Sequence, residues 1–293
     1  KGMQARYQKL RPYIDARENR EQWCIAAVPG VKWAKKVFPE LPKGRAVEKL
    51  WEVILSCSRA LEGDPEENWQ LHNLELKARA DRLNAMGLVS LEYRSANGTD
   101  LKVGLIPEAL FLGGAERCPV NGVLYDPNIP SEELFITPKA GSAEGIVHAT
   151  MPLVFQGILI EDFWLRFEGG KVTELHAEKN EEALRTLVSM DEGAAMLGEC
   201  ALVPYASPIR ESGILFYNTL FDENAACHLA LGRGYSSNIR DYENYSLEEL
   251  RAMGVNDSMV HEDFMIGSED LSITGVTAAG ERVAIFRDGG WAF

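Results

Sequence analysis

The sequence predicts an α+β fold: a curved, mainly antiparallel, barrel-like sheet with flanking helices, preceded by an N-terminal helical segment. Three observations carry this. Up to about residue 90, apolar residues recur at three- and four-residue spacing, the period of one helix face. From about residue 88 the chain breaks into short β-like runs divided by Gly, Asn and Asp. Two of the dividers, Asn97-Gly98 and Glu168-Gly169-Gly170, suit the positive φ angles of tight antiparallel hairpins.

In chain order, Val28 to Pro42 reads as a packed connector, because Pro29, Pro39 and Pro42 interrupt any long helix around Trp33 and Phe38. Arg45 to Leu61 is a helix with Val47, Leu50, Trp51, Ile54 and Leu55 on one stripe. Trp69 to Met86 repeats the pattern through Leu71, Leu74, Leu76, Ala80, Leu83 and Met86, with Gly87 as C-cap. Val89 to Arg94 and Asp100 to Ile106 form the first hairpin, followed by strands over Glu132–Thr137, Ala143–Met151, Gly157–Phe167 and Lys171–Lys179. Glu181 to Gly198 is an amphipathic helix, with Leu184, Leu187, Ala194 and Leu197 on one side. Cys200 to Tyr205 is a strand, and Ile214 to Asn224 leads into a segment over Cys227 to Leu231. Ser246 to Met253 is a short helix opened by a Ser246…Glu249 capping box. Met259–Ile266, Leu271–Val276 and Arg282–Phe286 close the chain as strands. The change of pattern divides it into a helical segment over 1–90 and a sheet-rich domain over 91–293.

A length of 293 residues allows one large domain or two ordinary ones. With 44 acidic against 30 basic side chains the net charge is −14, which disfavours nucleic acid as a partner. No apolar run is long enough for a membrane helix, and the polar start from Lys1 to Arg20 is unlike a signal peptide, so the expected location is cytoplasmic. Five widely spaced cysteines without a CxxC pair suggest neither a disulfide framework nor a zinc knuckle.

The chemistry concentrates late in the chain. His261 and Asp263 are two apart and project from the same face of a strand, so together they could bind one ion. Imidazole nitrogen with carboxylate oxygen suits zinc, cobalt or manganese. A lone histidine in an apolar strand is more often a satisfied structural residue. Here the neighbours Met259, Val260, Phe264, Met265 and Ile266 make unpaired charge costly. Glu133 and Glu199 each stand where a loop meets an apolar strand, the alternative being a surface charge. Ser212-Gly213 lacks a nucleophile elbow, Leu231-Gly-Arg-Gly234 lacks a phosphate-loop pattern, and Cys227 beside His228 does not face it.

The runs Glu133-Leu-Phe-Ile-Thr-Pro138, Asp191-Glu-Gly193 with Leu197-Gly-Glu199, Ser212 to Asn224, His228 and His261-Glu-Asp-Phe-Met-Ile-Gly-Ser268 resemble the M29 metallo-aminopeptidases, the group of aminopeptidase T, aminopeptidase S and PepS-like enzymes. The likeness reaches from Trp23 to Phe293. Family members carry an additional N-terminal domain, so the resemblance implies a chain lacking it. It also implies a site for two divalent metal ions (Zn, Co, Mn or Mg) on Glu133, Glu199, Glu223, His228, His261 and Asp263, with Tyr235 reaching the metals. The implied activity is hydrolysis of the first bond of peptide substrates with a free N-terminus, by a homodimer. In that scheme Glu199 bridges the metals, Tyr235 donates to the developing oxyanion, and Glu223 or Glu262 carries the proton. Four carboxylates would balance two dications while both histidines bind neutral. Phe216, Tyr217 and Phe264 either line a pocket for the first side chain or pack in the core. His72, His148 and His176 keep structural roles. The alternatives are a metal-binding but inactive truncated domain and a structural or calcium-stabilised acidic protein, which metal analysis and peptide hydrolysis separate.

Overall fold

The computed structural model describes Leu10, Tyr13 and residues 20–118 and 120–293. The helical expectation for the first nineteen residues otherwise lies outside the described residues. Pro39 and Pro42 punctuate the helical layer as expected, but the connector contains a helix of its own, α1 (Val31–Val37). α2 (Lys43–Cys57) and α3 (Pro65–Ala85) follow, the latter capped by the Asp64 carboxylate, which accepts from the Glu66 and Glu67 N–H groups at 2.9 and 3.3 Å.

The buried stripes are rotated from those the aliphatic spacing predicts. In α2 the buried face is Ala46, Leu50, Val53, Ile54 and Cys57, with Trp51 at the surface. In α3 it is Trp69, His72, Leu76, Ala80 and Leu83, leaving Leu71 and Leu74 exposed. The polar ends of two α3 side chains find carbonyls inside: Trp69 Nε1 donates to Ser58 O at 2.8 Å, and His72 Nε2 meets Ser131 O at 2.7 Å. Satisfied in this way, both are buried without penalty.

The strands that matter below are β1 (Leu88–Arg94), β2 (Asp100–Gly104), β3 (Leu134–Ile136), β4 (Glu144–His148), β5 (Leu153–Phe155), β6 (Ile158–Glu168) and β7 (Lys171–Lys179). After the helix α4 (Glu181–Val188) come β8 (Leu197–Leu202), β9 (His228–Gly232), the helix α5 (Leu247–Met253), β10 (His261–Met265), β11 (Ser272–Thr277), β12 (Arg282–Arg287) and β13 (Gly290–Trp291). They make two separate antiparallel sheets where the sequence predicted one. The larger runs β7-β6-β4-β2-β1-β11-β12-β13, with β5 added on β6. It is open: β7 and β13 are its edges and do not meet, which corrects the barrel-like expectation. The smaller sheet runs β10-β9-β8-β3.

α4 stops at Val188, ten residues short of the predicted Gly198, because Asp191 claims the chain. Its carboxylate accepts from Ala194 N at 2.8 Å, Ser258 Oγ at 2.8 Å and Met259 N at 2.7 Å, pinning the next segment to the start of β10. The capping box on α5 forms as read: Ser246 Oγ accepts from Glu249 N at 3.3 Å and Glu249 Oε2 from Ser246 N at 2.7 Å. One apolar core joins the two sheets and α3, through Leu76, Leu83, Leu91, Val103, Leu165, Leu202, Leu229 and Phe264. Among the described residues no helix is long and apolar enough to cross a membrane.

Candidate metal centre

The smaller sheet has two chemically different faces. Leu134, Ile136, Cys200, Leu202, Leu229, Leu231 and Phe264 turn into the core. The alternate residues turn the other way, because side chains alternate along a strand. In the register Ala230 lies opposite both Glu199 and Asp263, His228 opposite Ala201 and Met265, and Gly232 opposite His261. One face therefore carries Glu199, His228, His261 and Asp263, spaced by Ala201, Ala230 and Gly232, and Glu133 joins it just before β3. The small residues leave the polar groups room to converge.

Strict alternation would send Glu199 into the core, since Leu197 already faces it. A β-bulge between Leu197 and Glu199 inserts Gly198 as the extra residue and turns Glu199 to the polar face. Only glycine fits, for a Cβ there would stand 2.3 Å from Gly232 O and 2.4 Å from Arg233 O.

Two groups of possible ligands result: Glu133, Glu199 and His228, and Glu199, His261 and Asp263. Glu199 belongs to both. Glu133 Oε2 lies 3.1 Å from His228 Nε2, Glu199 Oε2 lies 3.0 Å from His261 Nε2, and Asp263 Oδ1 lies 3.4 Å from the same nitrogen. The far nitrogens are held by main-chain carbonyls, His261 Nδ1 by Arg233 O at 2.6 Å and His228 Nδ1 by Ala226 O at 3.2 Å. With Nδ1 donating, each neutral imidazole presents the Nε2 lone pair toward carboxylate oxygens, an arrangement that needs a cation between them. Glu133 Oε2 and Asp263 Oδ1 are buried and receive no hydrogen bond. The donor set thus fits divalent cations bound by nitrogen and oxygen.

The electrostatics of the cation-free site agree. Burial pushes the His228 imidazole down, but the Glu133 carboxylate beside it, with the charges of Asp263 and Glu199, holds it up at about 10. Burial likewise lowers His261, but Asp263 and Glu199 outweigh it and hold the imidazole well above its usual range. Glu223 is driven well up by burial, then by Asp263 and Glu133. In the absence of metal, protons take the places that cations would fill.

All seven singled-out residues, Glu133, Glu199, Glu223, His228, Tyr235, His261 and Asp263, line one cavity of about 1970 Å³. Glu223 enters from a single helical turn, and the Tyr235 hydroxyl lies 3.3 Å from His261 Nε2. Glu262 does not line the cavity: it alternates to the far side of β10, opposite Leu231. Phe216 stacks on Phe221 at 4.6 Å and Phe264 packs on Phe163 at 5.8 Å, so both are core, and Tyr217 sits under Lys36; none lines the cavity. Phe135, Leu220 and Arg233 line it instead, unremarked in the sequence. The alternation His228-Leu-Ala-Leu-Gly232, apolar against small, was the available signal for β9 and its polar face.

A model of the thermophilic metalloprotease family (M29) matches residues 2–291. The chain is 44% identical to aminopeptidase AmpS of Bacillus subtilis (strain 168) over 97% of its own length and 68% of that protein's. It is 43% identical to aminopeptidase T of Thermus aquaticus, over 99% of this chain and 71% of the relative. Among solved structures it superposes on wild-type AmpT from Thermus thermophilus with a TM-score of 0.86 and 41% identity, covering 94% of this chain and 66% of that one. The chain spans about two thirds of the length of the curated relatives it matches.

Proposed function

The chain belongs to the M29 metalloprotease family, and from that premise we propose that it is an aminopeptidase hydrolysing the first bond of peptides with a free N-terminus at a two-cation centre. One observation carries the reading. The Glu199 carboxylate stands in both ligand groups, while two buried oxygens on either side, Glu133 Oε2 and Asp263 Oδ1, receive no hydrogen bond. Bound there, two divalent cations (Zn, Co, Mn or Mg) would supply a water of lowered pKa and a polarised carbonyl.

In this reading Glu133 and His228 hold one position, His261 and Asp263 the other, and Glu199 lies between. Glu223, in the same cavity, shuttles the proton from water to the leaving amine. Tyr235 donates its phenolic proton toward the developing oxyanion. The acidic wall favours a substrate's ammonium end over its carboxylate end, in line with attack at the N-terminus. In this reading residues 91–293 are the catalytic domain, preceded by the segment 1–90; all seven residues lie after 91, and β1 (Leu88–Arg94) straddles the boundary. The homodimer belongs to the same reading and is measured by sedimentation. Five free thiols, four of them buried, support a reducing, cytoplasmic setting.

Glu199→Ala and His261→Ala chains are expected to lose cleavage of aminoacyl-p-nitroanilides and to bind fewer than two equivalents of metal. Cleavage at the normal rate by either overturns the reading. Because the chain spans only part of its relatives, two bound ions without hydrolysis would favour the second reading, a metal-binding domain without catalysis.

A further inference from the structure

Behind the Glu133 side of the centre lies a polar cluster that the mechanism does not use. We propose that the Arg59–Glu132 ion pair, with Asn224, is a positioning device for one cation site: it sets Glu133, the partner of His228, and leaves the strand register that carries His261 and Asp263 unchanged. The inference rests on the two-cation reading.

Arg59 follows the end of α2 in the left-handed conformation, φ +55°, and its carbonyl accepts from Asn68 Nδ2 at 2.9 Å. Its guanidinium grips Glu132 with both prongs, Nη1 to Oε1 and Nη2 to Oε2, the latter at 2.7 Å. Glu132 is only 5% exposed. His72, whose Nε2 lies 4.0 Å from Glu132 Oε2, is pushed down by burial and stays neutral, donating to Ser131 O at 2.7 Å. Among the described residues Arg59 is therefore the counter-charge of Glu132.

Two consequences reach the centre. Neighbouring residues of an extended chain point opposite ways, so a Glu132 anchored in the helical layer leaves Glu133 facing the cavity. Gly113 seals that choice, since a Cβ there would stand 2.2 Å from Glu133 O. The Glu132 N–H also donates to Asn224 Oδ1 at 2.7 Å, and Asn224, fully buried, donates from Nδ2 to Leu220 O at 3.0 Å. The cluster thereby fixes the residue after Glu223 and the residue before Glu133, 92 positions apart. β10, which carries His261 and Asp263, takes its register from β9 instead. A buried ion pair is weak evidence for stability, because apolar replacements of similar volume are often neutral or better. Placement of ligands explains why charge is buried here.

The test is calorimetric titration of Zn²⁺ or Co²⁺ into the chelator-stripped full chain, beside its thermal transition. Arg59→Met combined with Glu132→Gln leaves no lone buried charge. It is expected to bind one ion with wild-type affinity and the other about 10- to 100-fold more weakly, the usual range for groups that orient ligands. Arg59→Lys, which keeps the charge but loses the fork, is expected to fall between, and carries the same comparison if the double variant does not fold. Two affinities that are both unchanged, or that fall together, overturn the inference. A wild-type chain that takes up fewer than two ions overturns the two-cation reading itself, and the inference with it.

Discussion

Tyr235 separates structure from chemistry most cleanly. Burial pushes its phenol well up, and the charges of Glu199, Asp263 and Glu223 push it further, so it is protonated at any working pH and available as a donor. The residue is held rigidly: its N–H donates to Thr137 Oγ1 at 2.8 Å, the same hydroxyl donates to its carbonyl at 3.0 Å, and its ring meets Phe135 edge-on at 5.7 Å. Tyr235→Phe keeps the ring and its packing and removes one proton donor. Metal uptake should be unchanged, KM should move little, and kcat should fall about 100- to 1000-fold, as when one oxyanion donor is lost. Steady-state kinetics with an aminoacyl-p-nitroanilide give the answer, and an unchanged kcat removes Tyr235 from the chemistry. His261 and Asp263 could be paired from the sequence by their spacing alone. Tyr235 and Glu223 could not, because nothing local ties them to β10, and only the family resemblance gave them roles in the site.

At the scale of elements, the bulge at Gly198 decides where Glu199 points. In Gly198→Ala the new methyl meets two main-chain carbonyls that cannot retreat without breaking the β8–β9 pairing. The expected cost is about 1–3 kcal/mol of stability, the usual range for overpacking. The larger effect is on Glu199: relaxing the bulge turns its carboxylate toward Leu197's side and should weaken both cation sites together. Denaturant unfolding and metal titration measure the two effects; wild-type affinities in this variant would show that the bulge does not aim Glu199. The same element shows the limit of reading a sequence. Lys171–Lys179, the Asn97-Gly98 hairpin and the α5 capping box are written in adjacent residues, and the structure has them where they were read. A bulge is visible only against the partner strand. So is the assignment of strands to two sheets, and the end of α4 depends on Asp191 finding Ser258 and Met259 some 67 residues on. The rotated face of α3 arises likewise from carbonyls outside the helix that satisfy Trp69 and His72.

For the whole molecule, the net charge of −14 includes four carboxylates, Glu133, Glu199, Glu223 and Asp263, gathered on one wall. Stripped of cations, this wall is held together by protons, above all the one on His228. Its folded pKa of about 10 lies above the ordinary value of 6.5, so its contribution to stability is complete below about pH 6.5 and is lost as pH rises through about 10. Burial raises Glu199 and Glu223 as well, and carboxyls raised in the folded state also cost stability as pH rises past their ordinary value of 4.5. Asp263, lowered by His261 against its burial, works in the opposite sense but only at acid pH. With cations bound, His228 is a neutral ligand and has no such proton to lose. Chelation should therefore lower Tm, and the gap between loaded and stripped protein should widen from pH 6.5 to 10. At free cation near 100 times its dissociation constant the binding linkage is about 2.7 kcal/mol for each site, or about 4–5 °C per site for a chain of this size. Thermal melts with and without a chelator across that window provide the measurement. A gap that stays constant with pH would place His228 outside the cation site, since a residue that exchanges a proton for a metal must make metal binding depend on pH.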